Sequence, residues 1–185
     1  MRVIAGEYKG RKLTSPEGYH LRPTPEKVRE ALFSILASEI NGSRCMDLFA
    51  GSGSLGIEAL SRGAEFCYFS DSSRRSISLI EKNLASAGAE EKSQVTCGDF
   101  RKVIKSFSES NPDIKIDIVF IDPPFDSGYY NAVMKLLFDY DIMRTGGIVV
   151  VEFDGVSDNR DDPKGFRLGD IRKYGRVGLE FWIRD

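Results

Sequence analysis

An α/β fold with a mostly parallel, Rossmann-like sheet is predicted by three observations. From Arg44 onward, short apolar runs alternate with amphipathic stretches, the pattern of successive βαβ units with helices on both sheet faces. Gly51-Ser52-Gly53-Ser54-Leu55-Gly56 matches G-x-G-x-x-G and falls where the first run gives way to a helix. Asp71 closes the second run, 20 residues after Gly51, where a carboxylate can accept ribose hydroxyls.

In chain order, RVIAGEYKGRKLTS predicts a short hairpin turning around Gly6 to Gly10. The loop PEGYHLRP then delivers Thr24 as a helix N-cap with Pro25 at the first helical position. The helix that follows carries Val28, Leu32, Ile35 and Leu36 on one face, a stripe expected in the core. Candidate strands are RCMDLFA, EFCYFSD, QVTCG, IDIVFID and GIVVVEF; candidate helices start near Ser54, Ser73, Asp99 and Gly128. The tail, RLGDIRKYGRVGLEFWI, has no room for a crossover helix and alternates at Val177, Leu179, Phe181 and Ile183, so an antiparallel hairpin on the sheet edge is expected.

The 185 residues suit one domain, 1–185, with residues 1–23 as an N-terminal hairpin and loop extension. The net charge of −2 predicts neither a polyanion binder nor a membrane-surface protein. Residues 1–30 nevertheless hold seven basic and four acidic side chains, so a polyanion should meet the N-terminus. Cys45, Cys67 and Cys97 lack C-x-x-C spacing and are expected as small core residues in a reducing compartment. With no apolar leader and no run of about 18 apolar residues, a cytoplasmic protein without membrane contact is expected.

The glycine turn calls for a ribose-bearing cofactor, because only glycine lets a ligand approach the backbone so closely. Asp47, at the end of the first strand, would repel a pyrophosphate but attract a cation, which favours S-adenosylmethionine over a dinucleotide. Asp122-Pro123-Pro124-Phe125 ends the fourth strand at the same crevice. Two prolines make a stiff, acceptor-only exit, and an aromatic plate follows. That combination suits a planar base whose exocyclic amine donates to Asp122 and to the Pro123 carbonyl while its ring stacks on Phe125. The amine lone pair is then aimed at an electrophilic methyl, and catalysis is mainly positioning. A nicotinamide-dependent oxidoreductase would explain the glycines and Asp71 but leave these four residues idle. Tyr129 and Tyr130 either flank the base or cap a helix, and His20 reads as a surface loop residue.

DLFAGSGSLGIEALSRGA together with DPPF resembles the class I S-adenosylmethionine-dependent amino-methyltransferases. RVIAGEYKGRKL with LRPTPEKVREALFSIL is similar to the RsmD-type bacterial 16S rRNA guanine-N2 methyltransferases, over nearly the whole chain. The resemblance implies a seven-stranded sheet with the last pair reversed. It implies Asp47, Gly51 and Gly53 at the amino-acid end of the cofactor, Asp71 at its ribose and Asp99 at its adenine amine. Asp122, Pro123, Pro124 and Phe125 would hold the target guanine. Arg2, Lys9, Arg11, Lys12, Arg22 and Arg29 are the candidate contacts to 16S rRNA in the small ribosomal subunit. No metal is needed, and a monomer is expected. A DNA adenine methyltransferase, the alternative within the class, should carry a long target-recognition insert. Where that family commonly has glutamate and a second acid two residues on, this chain has Asp71 and Ser73, so a shorter ribose contact is expected.

Overall fold

A computed structural model describes residues 1–15, 24–123, 128–154 and 162–185. Seven strands form one sheet in the order β3-β2-β1-β4-β5-β7-β6. The parallel part comprises β1 (Arg44–Leu48), β2 (Phe66–Asp71), β3 (Ser93–Cys97), β4 (Ile116–Ile121) and β5 (Met143–Asp154). Central strands such as β4 are nearly continuous apolar runs because both faces are covered.

Among the described residues, six α-helices cover those faces: α1 (Glu26–Ile35), the single turn α2 (Ala37–Ile40), α3 (Ser54–Ser61), α4 (Arg74–Ala87), α5 (Phe100–Ser110) and α6 (Tyr129–Asp139). On one face, Leu32, Phe33, Ile57, Leu60 and Ile80 pack against Cys45, Phe69 and Phe120. On the other, Ile104, Phe107, Val133 and Leu137 pack against Met46, Leu48, Val119 and Ile121. Each fully buried side chain of this kind contributes about 1.5–3 kcal/mol. The expected helix starts are real: Ser73 and Asp99 are N-caps whose side chains accept the amides of Ser76 and Arg101.

The tail forms the expected antiparallel hairpin at the sheet edge. β7 (Val177–Arg184) inserts between β5 and β6 (Phe166–Tyr174) and is antiparallel to both, so β6 again runs with β5. Only one strand is therefore reversed, not the last pair, because a tight turn at Gly175, with φ +65°, sends the chain back beside its own predecessor. β5 also begins at Met143, four residues before the expected Gly147, because Ile116 finds a partner in Met143 across a register shift.

Three expectations about the first helix and the cysteines are corrected. Thr24 does not cap α1; Pro25 occupies that position, and the Thr24 hydroxyl donates instead to Glu152 Oε2 at 2.6 Å. The buried stripe is Val28, Arg29, Leu32, Phe33 and Leu36, while Ile35 is exposed, since α1 lies over β4 and turns Phe33 onto Phe120, ring centroids 5.8 Å apart. Cys97 is exposed because it ends the edge strand β3, while Cys45 and Cys67 are core.

The N-terminal residues form the expected hairpin, with Arg2 and Lys12 bridged antiparallel. It is docked on α3. Glu58 accepts the amides of Ile4 and Ala5 at 2.8 and 3.0 Å, Ser61 Oγ accepts that of Tyr8 at 2.9 Å, and the Ser61 carbonyl accepts that of Glu7 at 2.7 Å. Gly6, with φ +84°, is required there: a Cβ would lie 1.7 Å from the Ser61 carbonyl oxygen.

Candidate active site

The crevice lies at the carboxyl ends of the parallel strands, where α/β sheets bind ligands. Its first wall is the turn from β1 into α3. The Ala50 amide donates to the Ser70 carbonyl at 2.9 Å and the Gly51 amide to Asp71 Oδ2 at 3.0 Å, so the turn is pinned to the end of β2. Gly51 and Gly53 have φ of +56° and +75°, open to glycine and strained for other residues. A Cβ on Gly51 would meet only the Phe49 carbonyl oxygen, at 3.9 Å, so the space over the turn is open to a ligand. Gly56 has a different task. A Cβ there would reach 2.2 Å from the Phe69 ring, so this glycine lets α3 lie against β2.

Asp47 is buried at the end of β1, where its Oδ2 accepts the Gly56 amide at 3.0 Å. Burial pushes its carboxyl up to about 7; the Gly56 amide works against that shift and nearby Asp71 adds to it. Asp71 accepts the Gly51 amide on Oδ2 and the Ser73 amide on Oδ1, the latter at 2.8 Å, which leaves acceptor sites on both oxygens. Ser73 supplies no second carboxylate; it caps α4. Asp99 similarly accepts the Arg101 amide at 2.9 Å and the Arg101 guanidinium at 3.0 Å. These residues surround one end of the sheet with acceptors.

Asp122 and Pro123 follow β4 directly and are half-buried. Burial raises the Asp122 carboxyl well above the usual range, and the carboxylates of Glu152 and Asp47 raise it further. Pro124 and Phe125 lie outside the described residues, as does Arg22. Beyond them the two tyrosines part company. Tyr130 is buried, its ring 6.2 Å from that of Trp182. Tyr129 stacks on Phe49 at 5.9 Å and 12° and meets Phe100 at 5.2 Å, with the Arg101 guanidinium 4.4 Å above Phe100. Phe49 holds φ +63°, a conformation that only a supporting cluster keeps in place.

Of the expected RNA contacts, Arg2, Lys9, Arg11 and Lys12 are exposed on the N-terminal hairpin. Arg2 pairs with Glu26 at 3.0 Å, and Arg11 donates to the carbonyls of Ser86 and Ala87 at the end of α4. Arg29 is a correction. It is 1% exposed, donates to the Arg2 carbonyl at 2.6 Å and lies 3.9 Å from Glu58, so it holds the hairpin from inside and cannot reach RNA.

Two parts of the site escaped the sequence reading. Glu152 is buried near the end of β5 and bonded to Thr24; its signal was a lone carboxylate in the apolar run IVVVEF. Asn83 is fully buried on α4. Its amide donates to the carbonyls of Ser52 and Thr14 and its oxygen accepts the Thr14 amide, tying the glycine turn to the N-terminal segment. An asparagine in mid-helix carries no such signal.

Comparison with known proteins agrees with this arrangement. The sequence model of the family described as conserved hypothetical protein 95 matches residues 1–183. The ribosomal RNA small subunit methyltransferase D of Escherichia coli K12 is 33% identical over 185 residues, covering 100% of this chain and 90% of the relative. That of Haemophilus influenzae is 35% identical over 153 residues, covering 82% and 78%. The solved structure of the Escherichia coli protein yhhF superposes with a TM-score of 0.86 at 33% identity, covering 100% of this chain and 98% of that one. A match over almost every residue, in a chain with the class I methyltransferase strand order, makes this protein a member of the conserved hypothetical protein 95 family, the RsmD-type methyltransferases.

Proposed function

We propose that this protein transfers a methyl group from S-adenosylmethionine to the exocyclic N2 amine of a guanine in 16S rRNA, within the small ribosomal subunit in the cytoplasm. The observation that carries the reading is the placement of Asp122 and Pro123 at the end of β4, beside the strand whose glycine turn opens the cofactor crevice. The names of the relatives point to the same substrate.

The residues present fit the cofactor. Gly51 leaves the crevice open over the turn, Asp47 offers a buried acceptor for a cationic amino group, and Asp71 and Asp99 keep acceptor sites for ribose and adenine. When bound, the cofactor's sulfonium supplies an electrophilic methyl. Asp122 and the Pro123 carbonyl accept the N2–H bonds of the base and so hold the amine's lone pair toward the crevice. Pro124 and Phe125 complete this wall in the reading from sequence. Once the nitrogen–carbon bond has formed, the amine must shed one proton. The Asp122 carboxylate, whose proton affinity is raised by burial, is placed to take it and pass it to water.

Residues 1–23 serve as the RNA-contacting extension of the single domain, with Arg2, Lys9, Arg11, Lys12 and Arg22 along the phosphate backbone. Among the described residues, no helix is long and apolar enough to cross a membrane. The test is transfer of labelled methyl to unmodified small subunits, with naked 16S rRNA and duplex DNA in parallel and nuclease mapping of the product. Label recovered as N2-methylguanine in subunit RNA is expected; label only in DNA or protein would overturn the substrate assignment.

A further inference from the structure

Among the described residues, Glu152 is a buried carboxylate beside the crevice that takes no part in the methyl transfer. Burying a carboxylate is costly unless it is bonded or functional, and this one interrupts the apolar run IVVVEF of β5. Its position follows from the register. Ile121 and Val151 are paired across β4 and β5 and both belong to the α5–α6 core. Glu152, the next residue of β5, and Asp122, the first after β4, therefore fall on the opposite face, at the ends of strands roughly 4.8 Å apart. Asp47, in register with Phe120, shares that face. The Thr24 hydroxyl, donating at 2.6 Å to Oε2, fixes Glu152 from the entrance of α1. A carboxylate has about four acceptor sites, and Thr24 engages one of them.

From this juxtaposition we infer that Glu152 is a specificity-determining residue of the base pocket, accepting the ring N1–H of guanine while Asp122 and Pro123 hold the neighbouring N2 amine. The inference rests on the guanine reading above and adds what selects that base. Guanine presents two adjacent donors, N1–H and N2–H, to a pair of acceptors. Adenine and cytosine carry a bare ring nitrogen beside their amine, and a carboxylate facing it leaves two acceptors opposed. Burial raises the Glu152 carboxyl above its ordinary range, and the Thr24 hydrogen bond works against that shift, toward the charged form that rejects those bases.

The test uses small subunits reconstituted with the mapped target guanosine replaced by 2-aminopurine riboside, which keeps the N2 amine but has a bare N1. Initial transfer rates to the two acceptors are compared for wild type, Glu152→Gln and Thr24→Val. Wild type should prefer guanine by about 10- to 100-fold. Glu152→Gln, whose amide can donate to N1, should cut that preference about tenfold while S-adenosylhomocysteine affinity stays within a few-fold. Thr24→Val keeps the carboxylate, loses only its anchor, and should erode the preference severalfold; it decides the matter if the glutamine variant does not fold. Equal rates on both acceptors in wild type, or an unchanged preference in both variants, overturns the role of Glu152. Absence of wild-type transfer to any RNA guanine overturns the functional reading beneath it instead.

Discussion

Arg29 Nε and Glu58 Oε2 lie 3.9 Å apart in the interior, each side chain 1% exposed, and between them they hold the N-terminal hairpin onto the sheet domain. Burial lowers the Arg29 pKa, and Glu58 counters that shift most. Removing Arg29 leaves a void in the core and takes the donor from the Arg2 carbonyl, while Glu58 keeps Arg62, 2.8 Å from Oε1, and the two hairpin amides. Arg29→Ala should therefore lower unfolding free energy by about 2–5 kcal/mol and speed amide exchange at Ile4 and Ala5. Denaturant titration with hydrogen exchange checks both, and a midpoint equal to wild type would refute the assignment.

Gly6 gives a more selective handle on the same hairpin. Gly6→Ala places a methyl where the Ser61 carbonyl already is, so the hairpin should lift from α3 while the sheet stays folded. Transfer to subunits should show a KM raised about tenfold or more, with S-adenosylhomocysteine affinity unchanged by calorimetry. Loss of cofactor binding in parallel would mean that the hairpin also shapes the crevice.

Asp122→Ala should reduce transfer by about 10²–10⁴-fold and leave cofactor affinity within a few-fold. Stopped-flow transfer and calorimetry separate the two. Should cofactor and activity disappear together, the division between the glycine turn and the β4 exit is wrong.

Asp47 links stability and cofactor binding to pH. Its carboxyl rises from an ordinary 3.8 to about 7 on folding, so between those values the folded state holds a proton that the unfolded state has lost. Its stabilising contribution is thus complete below pH 3.8 and declines as pH rises toward 7. Asp47→Asn should be more stable than wild type at pH 8, by up to roughly 4 kcal/mol, yet bind the cofactor more weakly. Because a cationic ligand needs the carboxylate charged, wild-type affinity should fall as pH drops below 7, with proton release measurable by calorimetry in buffers of different ionisation enthalpy.

Lys9 and Lys12 are exposed on the hairpin. If each meets a phosphate, Lys9→Gln and Lys12→Gln should each lower the slope of log affinity against log salt by about one, measured as subunit binding from 50 to 200 mM salt. An unchanged slope would place the RNA elsewhere.

Much of this protein was legible because the interactions responsible are local. Strand and helix alternation from Arg44 follows from periodicities of two and 3.6 within single segments, and the glycine turn from the backbone freedom that positions 51 and 53 require. Asp122-Pro123 was readable because proline restricts its own neighbourhood. What the tertiary structure decided are pairings between distant segments, which no local period encodes. Arg29 reads as a surface cation until Glu58 and the Arg2 carbonyl meet it in the core. Thr24 has the spacing of an N-cap, yet its hydroxyl donates to Glu152, 128 residues away, since a buried carboxylate needs a donor, while the N–H groups of a helix start open to water find acceptors there. Likewise β7 lies inside β6 because pairing with β5 buries Leu179 and Phe181, a gain that exists only once the sheet has assembled.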